Sequence, residues 1–121
     1  MKKVILVADD SPTIRKFVSV ALSVKGYEII ACADGMEAIE ILPNHKIDLV
    51  ITDLNMPNVD GFELITSIRN NNEYKEVPII VLSSLGATED IQRGLECGAN
   101  SYLVKPFDPK RVAYEVSKYL N

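Results

Sequence analysis

Three acids and one amine each stand directly behind a short apolar run. Asp53 follows Ile47 to Thr52 and opens the segment Asp-Leu-Asn-Met-Pro-Asn-Val-Asp-Gly. Asp9 and Asp10 follow Val4 to Ala8, Lys105 follows Ser101 to Val104, and Ser83 follows Val77 to Leu82. If these runs are strands of one sheet, the side chains gather at its carboxyl end, where open α/β folds place their ligand sites. Three carboxylates so close need compensation, because two like charges about 4 Å apart repel by roughly 4 kcal/mol at an effective dielectric near 20. Lys105 supplies one positive charge. A divalent cation supplies the rest, and oxygen-only donors point to Mg²⁺, with Mn²⁺ as the alternative. Asp53 is the best placed nucleophile, since a carboxylate can take a phosphoryl group as an aspartyl-phosphate. The metal, Lys105 and the Ser83 hydroxyl would then surround the oxygens on which charge builds up in transfer. Each residue alone has a plainer role: strand-end aspartates such as Asp10, or Asp60 further on, commonly cap helices and turns, and a lone lysine is commonly solvated. The agreement of four strand ends is what points to one site.

Five helix-like segments alternate with five apolar runs, Val4–Ala8, Tyr27–Ala31, Ile47–Thr52, Val77–Leu82 and Ser101–Val104. Several runs are nearly continuous in Val, Ile and Leu, as parallel strands covered on both faces require. Ser11 and Pro12 start the first helix, Ile14, Phe17, Val18, Ala21 and Leu22 form its stripe, and Gly26 stops it. Asp34 with Glu37, and Asp60 with Glu63, have capping-box spacing. Pro43-Asn44 closes the second helix and Asn70 to Asn72 loosens the chain after the third. Thr88 is the expected cap of the fourth helix, and Asp108-Pro109 opens the fifth, whose stripe is Val112, Ala113, Val116, Tyr119 and Leu120. Strict alternation predicts a single α/β domain over 1–121. Its form is a (βα)5 doubly wound five-stranded parallel sheet with right-handed crossovers and strand order 2-1-3-4-5, the flavodoxin-like arrangement. In that order the first and third strands are neighbours, so Asp9, Asp10 and Asp53 converge.

The 121 residues carry 47% apolar and 25% charged residues, the profile of an ordinary globular domain. A net charge of −4 without a basic patch argues against direct nucleic-acid binding. No apolar stretch approaches the roughly 20 residues of a membrane span, and Lys2-Lys3 leads into a strand rather than a signal peptide, so a cytoplasmic location is expected. Cys32, Cys97 and His45 are isolated from one another, without metal-ligand or redox spacing. The cysteines read as small buried thiols.

Ala-Asp-Asp-Ser, Asp-Leu-Asn-Met-Pro-Asn-Val-Asp-Gly, Pro-Ile-Ile-Val-Leu-Ser-Ser and Tyr-Leu-Val-Lys-Pro-Phe together resemble the motifs of bacterial response regulator receiver domains. The likeness covers the whole chain in order and is nearest to the single-domain, CheY-like type, since no effector domain follows the fifth helix. The resemblance implies a two-component signalling protein rather than a conventional enzyme. Asp53 would accept a phosphoryl group from a phosphohistidine on a sensor histidine kinase or histidine phosphotransfer protein. Asp9, Asp10, Asp53 and the main-chain carbonyl of Asn55 would hold Mg²⁺. Lys105 would pair with the phosphate, Ser83 would be the switch hydroxyl, Tyr102 the aromatic residue that changes rotamer with it, and Lys105-Pro106 a cis peptide bond. The face of the fourth helix, fifth strand and fifth helix would meet a downstream protein.

Departures are few. Ser84 stands where Ala or Gly is common, and its extra hydroxyl narrows access to the phosphate or adds a hydrogen bond. Leu85, which with Asn55 occupies the positions that influence phosphoryl lifetime, cannot orient an attacking water. Gly94 sits inside the fourth helix, where it costs about 1 kcal/mol against Ala; it either loosens a moving element or allows close packing on the sheet. Lys110, Arg111 and Lys118 give the fifth helix a basic side, suited to an acidic partner or simply solvated. Competing readings are weaker. A haloacid dehalogenase-like phosphatase would need Asp-x-Asp after the first strand, and a flavodoxin-like electron carrier a hydroxyl- and Gly-rich loop there. A receiver-like interaction module that is not phosphorylated would lack one of the acidic pair, the acceptor or the lysine.

Overall fold

The computed structural model describes residues 2–120, so Met1 and Asn121, the ends of the expected domain range, lie outside the described residues. Five strands and five helices alternate: β1 Val4–Ala8, α1 Pro12–Ser23, β2 Glu28–Cys32, α2 Gly35–Ile41, β3 Leu49–Thr52, α3 Gly61–Arg69, β4 Ile79–Ser83, α4 Thr88–Cys97, β5 Ser101–Val104 and α5 Pro109–Ser117. The strands form one parallel sheet in the order β2-β1-β3-β4-β5. Ala8 is opposite Cys32 on one side and Thr52 on the other, which brings the carboxyl ends of β1 and β3 together.

Alternation along the strands divides the core in two. Leu6, Ala8, Val50, Ile79 and Val81 face α2 and α3, joined by Leu64, Ile65 and Ile68. Ile5, Val7, Leu49, Ile51, Ile80 and Leu82 face α1 and α5, joined by Val18, Leu22, Val112 and Val116. Every residue of β3 and β4 is buried, and each buried Leu or Ile contributes roughly 1.5–3 kcal/mol. The sheet is therefore stiff where it carries the site. α4 differs: Gly94 is its one buried residue, so little apolar area anchors it.

Several expected boundaries move. β2 begins at Glu28, whose amide donates to the Lys3 carbonyl at 2.9 Å, whereas the Tyr27 amide still bonds back to the Leu22 carbonyl of α1 at 3.4 Å. β3 begins at Leu49, after Asp48 has accepted a bond from the Val4 amide at 2.8 Å. β4 begins after Pro78, where Val77 closes a turn onto the Tyr74 carbonyl, and it runs on to include Ser83. Thr88 is not a cap. Ala87 takes that position, without a side-chain bond, its carbonyl accepting from Asp90 and Ile91, while Glu89 and Asp90 complement the helix dipole. The Asp60–Glu63 box is complete. In the Asp34–Glu37 pair the return bond falls one residue early, on the Ala33 amide at 2.8 Å. Pro43-Asn44 closes α2 through a 3₁₀ turn, Leu42–Asn44.

Candidate functional site

The main chain sets the site before any side chain does. The Asp9 amide donates to the Cys32 carbonyl at 3.1 Å and the Asp53 amide to Ala8 at 2.9 Å. Each strand end is thus tied to its neighbour. Asp9 and Asp53 are 2% and 7% exposed, whereas Asp10 faces solvent. Asp9, Asp10 and Asp53 each offer an oxygen, and these lie within 4.8 Å of one another.

Lys105 is the fourth member. Its Nζ donates to Asp9 Oδ2 at 3.1 Å and to Asp53 Oδ2 at 3.2 Å. The other oxygens of both acids are held by the main chain, Asp9 Oδ1 by the Ser11 amide at 2.9 Å and Asp53 Oδ1 by the Leu54 amide at 2.7 Å. Burial pushes the Asp9 carboxyl above its ordinary value, and the nearby Asp53 charge pushes the same way against the Ser11 and Lys105 bonds. Burial works against the Lys105 charge, but Asp9 and Asp53 outweigh it and the ammonium is held more tightly than usual. One amine therefore serves two buried carboxylates beside a third, and the cluster carries surplus negative charge. All-oxygen donors with that surplus fit a hard divalent cation.

Ser83 is fully buried at the end of β4; its Oγ accepts from the Leu85 amide at 3.1 Å, and its carbonyl from the Lys105 amide at 2.7 Å. Tyr102 is half-buried on β5 and its hydroxyl donates to the Leu85 carbonyl at 2.5 Å. Asn55 is exposed on the loop after β3. The Lys105-Pro106 bond is cis. The basic side expected on α5 is partly consumed: Arg111 and Lys118 flank buried Glu115 at 4.0 and 2.7 Å, and Lys110 lies apart with Lys25 and Tyr27 beside a cavity of about 390 Å³.

Two residues at the site escape sequence reasoning. Arg15 reaches back from α1 to donate to the Asp9 carbonyl at 2.7 Å; nothing in its spacing marks it out from the neighbouring Lys16. Gly61 has no room for a side chain, because a β-carbon there would collide with the Asp53 carbonyl and lie 2.7 Å from Leu54 Cα. Its signal was present in the Asp-Gly that ends the Asp53 segment, but the reason is a backbone crossing that no pattern displays.

The family model described as "Response regulator receiver domain" matches residues 5–117. Among curated proteins, a "Probable transcriptional regulator ycf27" of Porphyridium aerugineum is 40% identical over 119 residues, covering 98% of this chain and 48% of the relative. The chain thus spans about half the length of that relative. Among solved structures, the chemotaxis response regulator CheY4 of Vibrio cholerae superposes with a TM-score of 0.93 at 37% identity, covering 99% of this chain and 100% of that one. The receiver domain of sensor histidine kinase PA1611 of Pseudomonas aeruginosa, with a magnesium ion coordinated in its active-site cleft, superposes with a TM-score of 0.90 at 27% identity, covering 98% of each chain.

Proposed function

The chain belongs to the response regulator receiver domain family of two-component signalling, and on that premise we propose that it accepts a phosphoryl group on Asp53 and passes the signal to a protein partner. The proposed domain is residues 1–121. The observation that carries the reading is Lys105 Nζ, shared between Asp9 and Asp53 at 3.1 and 3.2 Å beside the solvent-facing Asp10. The donor is a phosphohistidine of a sensor histidine kinase or phosphotransfer protein. An Asp53 carboxylate oxygen attacks phosphorus, the phosphorus–nitrogen bond breaks, and the imidazole leaves with the electron pair and takes up a proton. Hydrolysis of the resulting acyl phosphate restores the acid, so the chain acts on no substrate other than itself.

Asp9, Asp10, Asp53 and the Asn55 carbonyl are the residues that would hold Mg²⁺, or Mn²⁺ in its place; the magnesium in the PA1611 receiver supports this assignment. Bound there, the cation would neutralise charge on the phosphoryl oxygens. Lys105 meets one of those oxygens as its bonds to Asp9 and Asp53 exchange. Ser83 turns its hydroxyl from the Leu85 amide towards another, and Tyr102 follows into the space released. Moving a 1:99 mixture to 99:1 takes about 5.5 kcal/mol, within reach of several charge-assisted hydrogen bonds. The lightly anchored α4, with β5 and α5, forms the face that changes and meets the partner. Two free thiols, Cys32 and Cys97, suit a reducing compartment such as the cytoplasm.

Treatment with phosphoramidate and Mg²⁺, read by intact mass, tests the proposal. One phosphoryl adduct that requires Mg²⁺ and is lost in Asp53→Asn supports it. A folded protein that takes no adduct is instead a receiver-like interaction module.

A further inference from the structure

The loop between β3 and α3, residues 54–60, carries Asn55 and is fastened across the top of the sheet to the start of α2. Among the described residues Asn58 is the one non-glycine residue with positive φ, 66°. That bend aims its amide at Asp34, and Nδ2 donates to Asp34 Oδ2 at 2.7 Å. Beside it the Gly35 amide donates to the Val59 carbonyl at 3.1 Å. A β-carbon on Gly35 would lie 2.8 Å from Val59 Cγ1, so the two loops cross in direct contact.

Asp34 is a fixed anchor. Its second oxygen, Oδ1, caps α2 by accepting from the Glu37 amide at 2.9 Å, and only 8% of the residue is exposed. The bonds from Glu37 and Asn58 hold its carboxyl below the usual range, so it is an acceptor only and dictates which end of the Asn58 amide faces it. Glycine would adopt a φ of 66° more cheaply. What asparagine adds there is the amide.

We infer that Asp34 and Asn58 are positioning residues for the cation site, their bond fixing the loop that presents the main-chain carbonyl of Asn55 three residues before Asn58. The inference rests on the reading above, in which that carbonyl is a ligand. Mg²⁺ demands near-ideal octahedral geometry, and a main-chain ligand on a loop meets that demand only if the loop is held. Of the three acids, Asp9 and Asp53 compensate little, being already tied down by Ser11, Leu54 and Lys105, which leaves the exposed Asp10 alone to adjust. A purely structural role for the same bond would show in melting temperature and leave the metal untouched.

The test is a calorimetric titration with Mg²⁺ alone, beside metal-free melting, on wild type, Asp53→Asn, Asn58→Gly, Asn58→Asp and the exchange of Asp34→Asn with Asn58→Asp. Asn58→Gly keeps the backbone bend and removes the amide; its Mg²⁺ dissociation constant is expected to rise about tenfold, the lower end of losses for groups that orient ligands. Asn58→Asp sets two carboxylates against each other and weakens binding as well. The exchange reverses the direction of the hydrogen bond, keeps the net charge and the cap on Glu37, and restores wild-type affinity. If wild type binds Mg²⁺ but Asn58→Gly and Asn58→Asp bind it equally well, or the exchange restores nothing, the inference fails while the cation site stands. A wild type that binds no Mg²⁺, or an Asp53→Asn that binds it unchanged, overturns the site reading and this inference together.

Discussion

A β-carbon on Gly94 would lie 3.2 Å from both Cδ2 and Cε2 of Tyr102. The edge of the Tyr102 ring therefore rests on bare backbone of α4, with its hydroxyl bonded to Leu85 on the β4–α4 loop. Close packing and a weakened helix, the two explanations open for this glycine, have one cause: the missing side chain makes the seat for the ring and costs α4 about 1 kcal/mol of helix propensity.

Gly94→Ala sets those effects against each other. The crowding atoms are ring edge on a half-buried side chain that can rotate, so Tyr102 yields and the helix gain remains. Metal-free stability is expected to rise by about 0.5–1 kcal/mol, while the Tyr102 ring resonances shift as its bond to the Leu85 carbonyl loosens. Denaturant unfolding and side-chain NMR check the two parts; a fall in stability would mean that the ring is locked in place.

Asp9 pays for its burial in a way that pH reveals. Its carboxyl is raised by desolvation first and by Asp53 second, so the folded protein holds that proton more tightly than the unfolded chain. The ionised form thus costs stability at neutral pH, and the cost fades as pH falls through the raised folded value towards the unfolded one. Asp9→Asn is expected to melt above wild type at pH 7 without divalent cations, the difference shrinking on acidification. Under the proposed function, wild type gains about 1.4 kcal/mol at a Mg²⁺ concentration ten times its dissociation constant, and the variant gains none. An equal difference in melting temperature at every pH would refute the burial cost assigned to the Asp9 carboxylate.

Leu85 packs its partly buried side chain against the core on the α2 and α3 side of the sheet and offers no polar atom for a water attacking the phosphoryl group. A long-lived aspartyl-phosphate is expected, with Leu85→Gln shortening it. The decay of the intact-mass adduct after removal of the donor measures this, and a wild-type half-life of a few seconds or less rejects it.

The two thiols differ in reach. Cys32 is 4% exposed, and burial, aided by Glu37 and Asp34, pushes its thiol up to about 12. Cys97 is half-buried at the end of α4, which corrects the expectation that both are buried. Because the thiolate is the nucleophile, iodoacetamide at pH 8 should label Cys97 and spare Cys32 until the protein is unfolded. Peptide mapping showing equal labelling under native conditions would contradict the burial of Cys32.

The alternation of apolar runs with capped helices was legible because it is local chemistry: continuous Val, Ile and Leu in β3 and β4, Ser11-Pro12 and Asp108-Pro109 at helix starts. Element boundaries were less so. Whether Ile47 and Val77 join strands depends on turns closed by Asp48 and Val77 with residues far along the chain or out of pattern. The cap of α4 eluded the pattern too, since Thr88 has the right chemistry one position late.

By itself the sequence determined which groups stand at strand ends, because a carboxylate behind a buried run has to emerge at the run's end. It also narrowed the strand order to a few, since β/α alternation with right-handed crossovers leaves few sheets to choose from, and the order expected among them is the one the sheet has. Only the tertiary structure decided how those groups are shared. That Lys105 is divided between Asp9 and Asp53, that Asn58 is latched to Asp34 and that Gly61 and Gly94 make way for Asp53 and Tyr102 are contacts between residues distant in the chain. Their existence depends on ångström-scale approach of packed elements, and periodicity and spacing carry no measure of that distance.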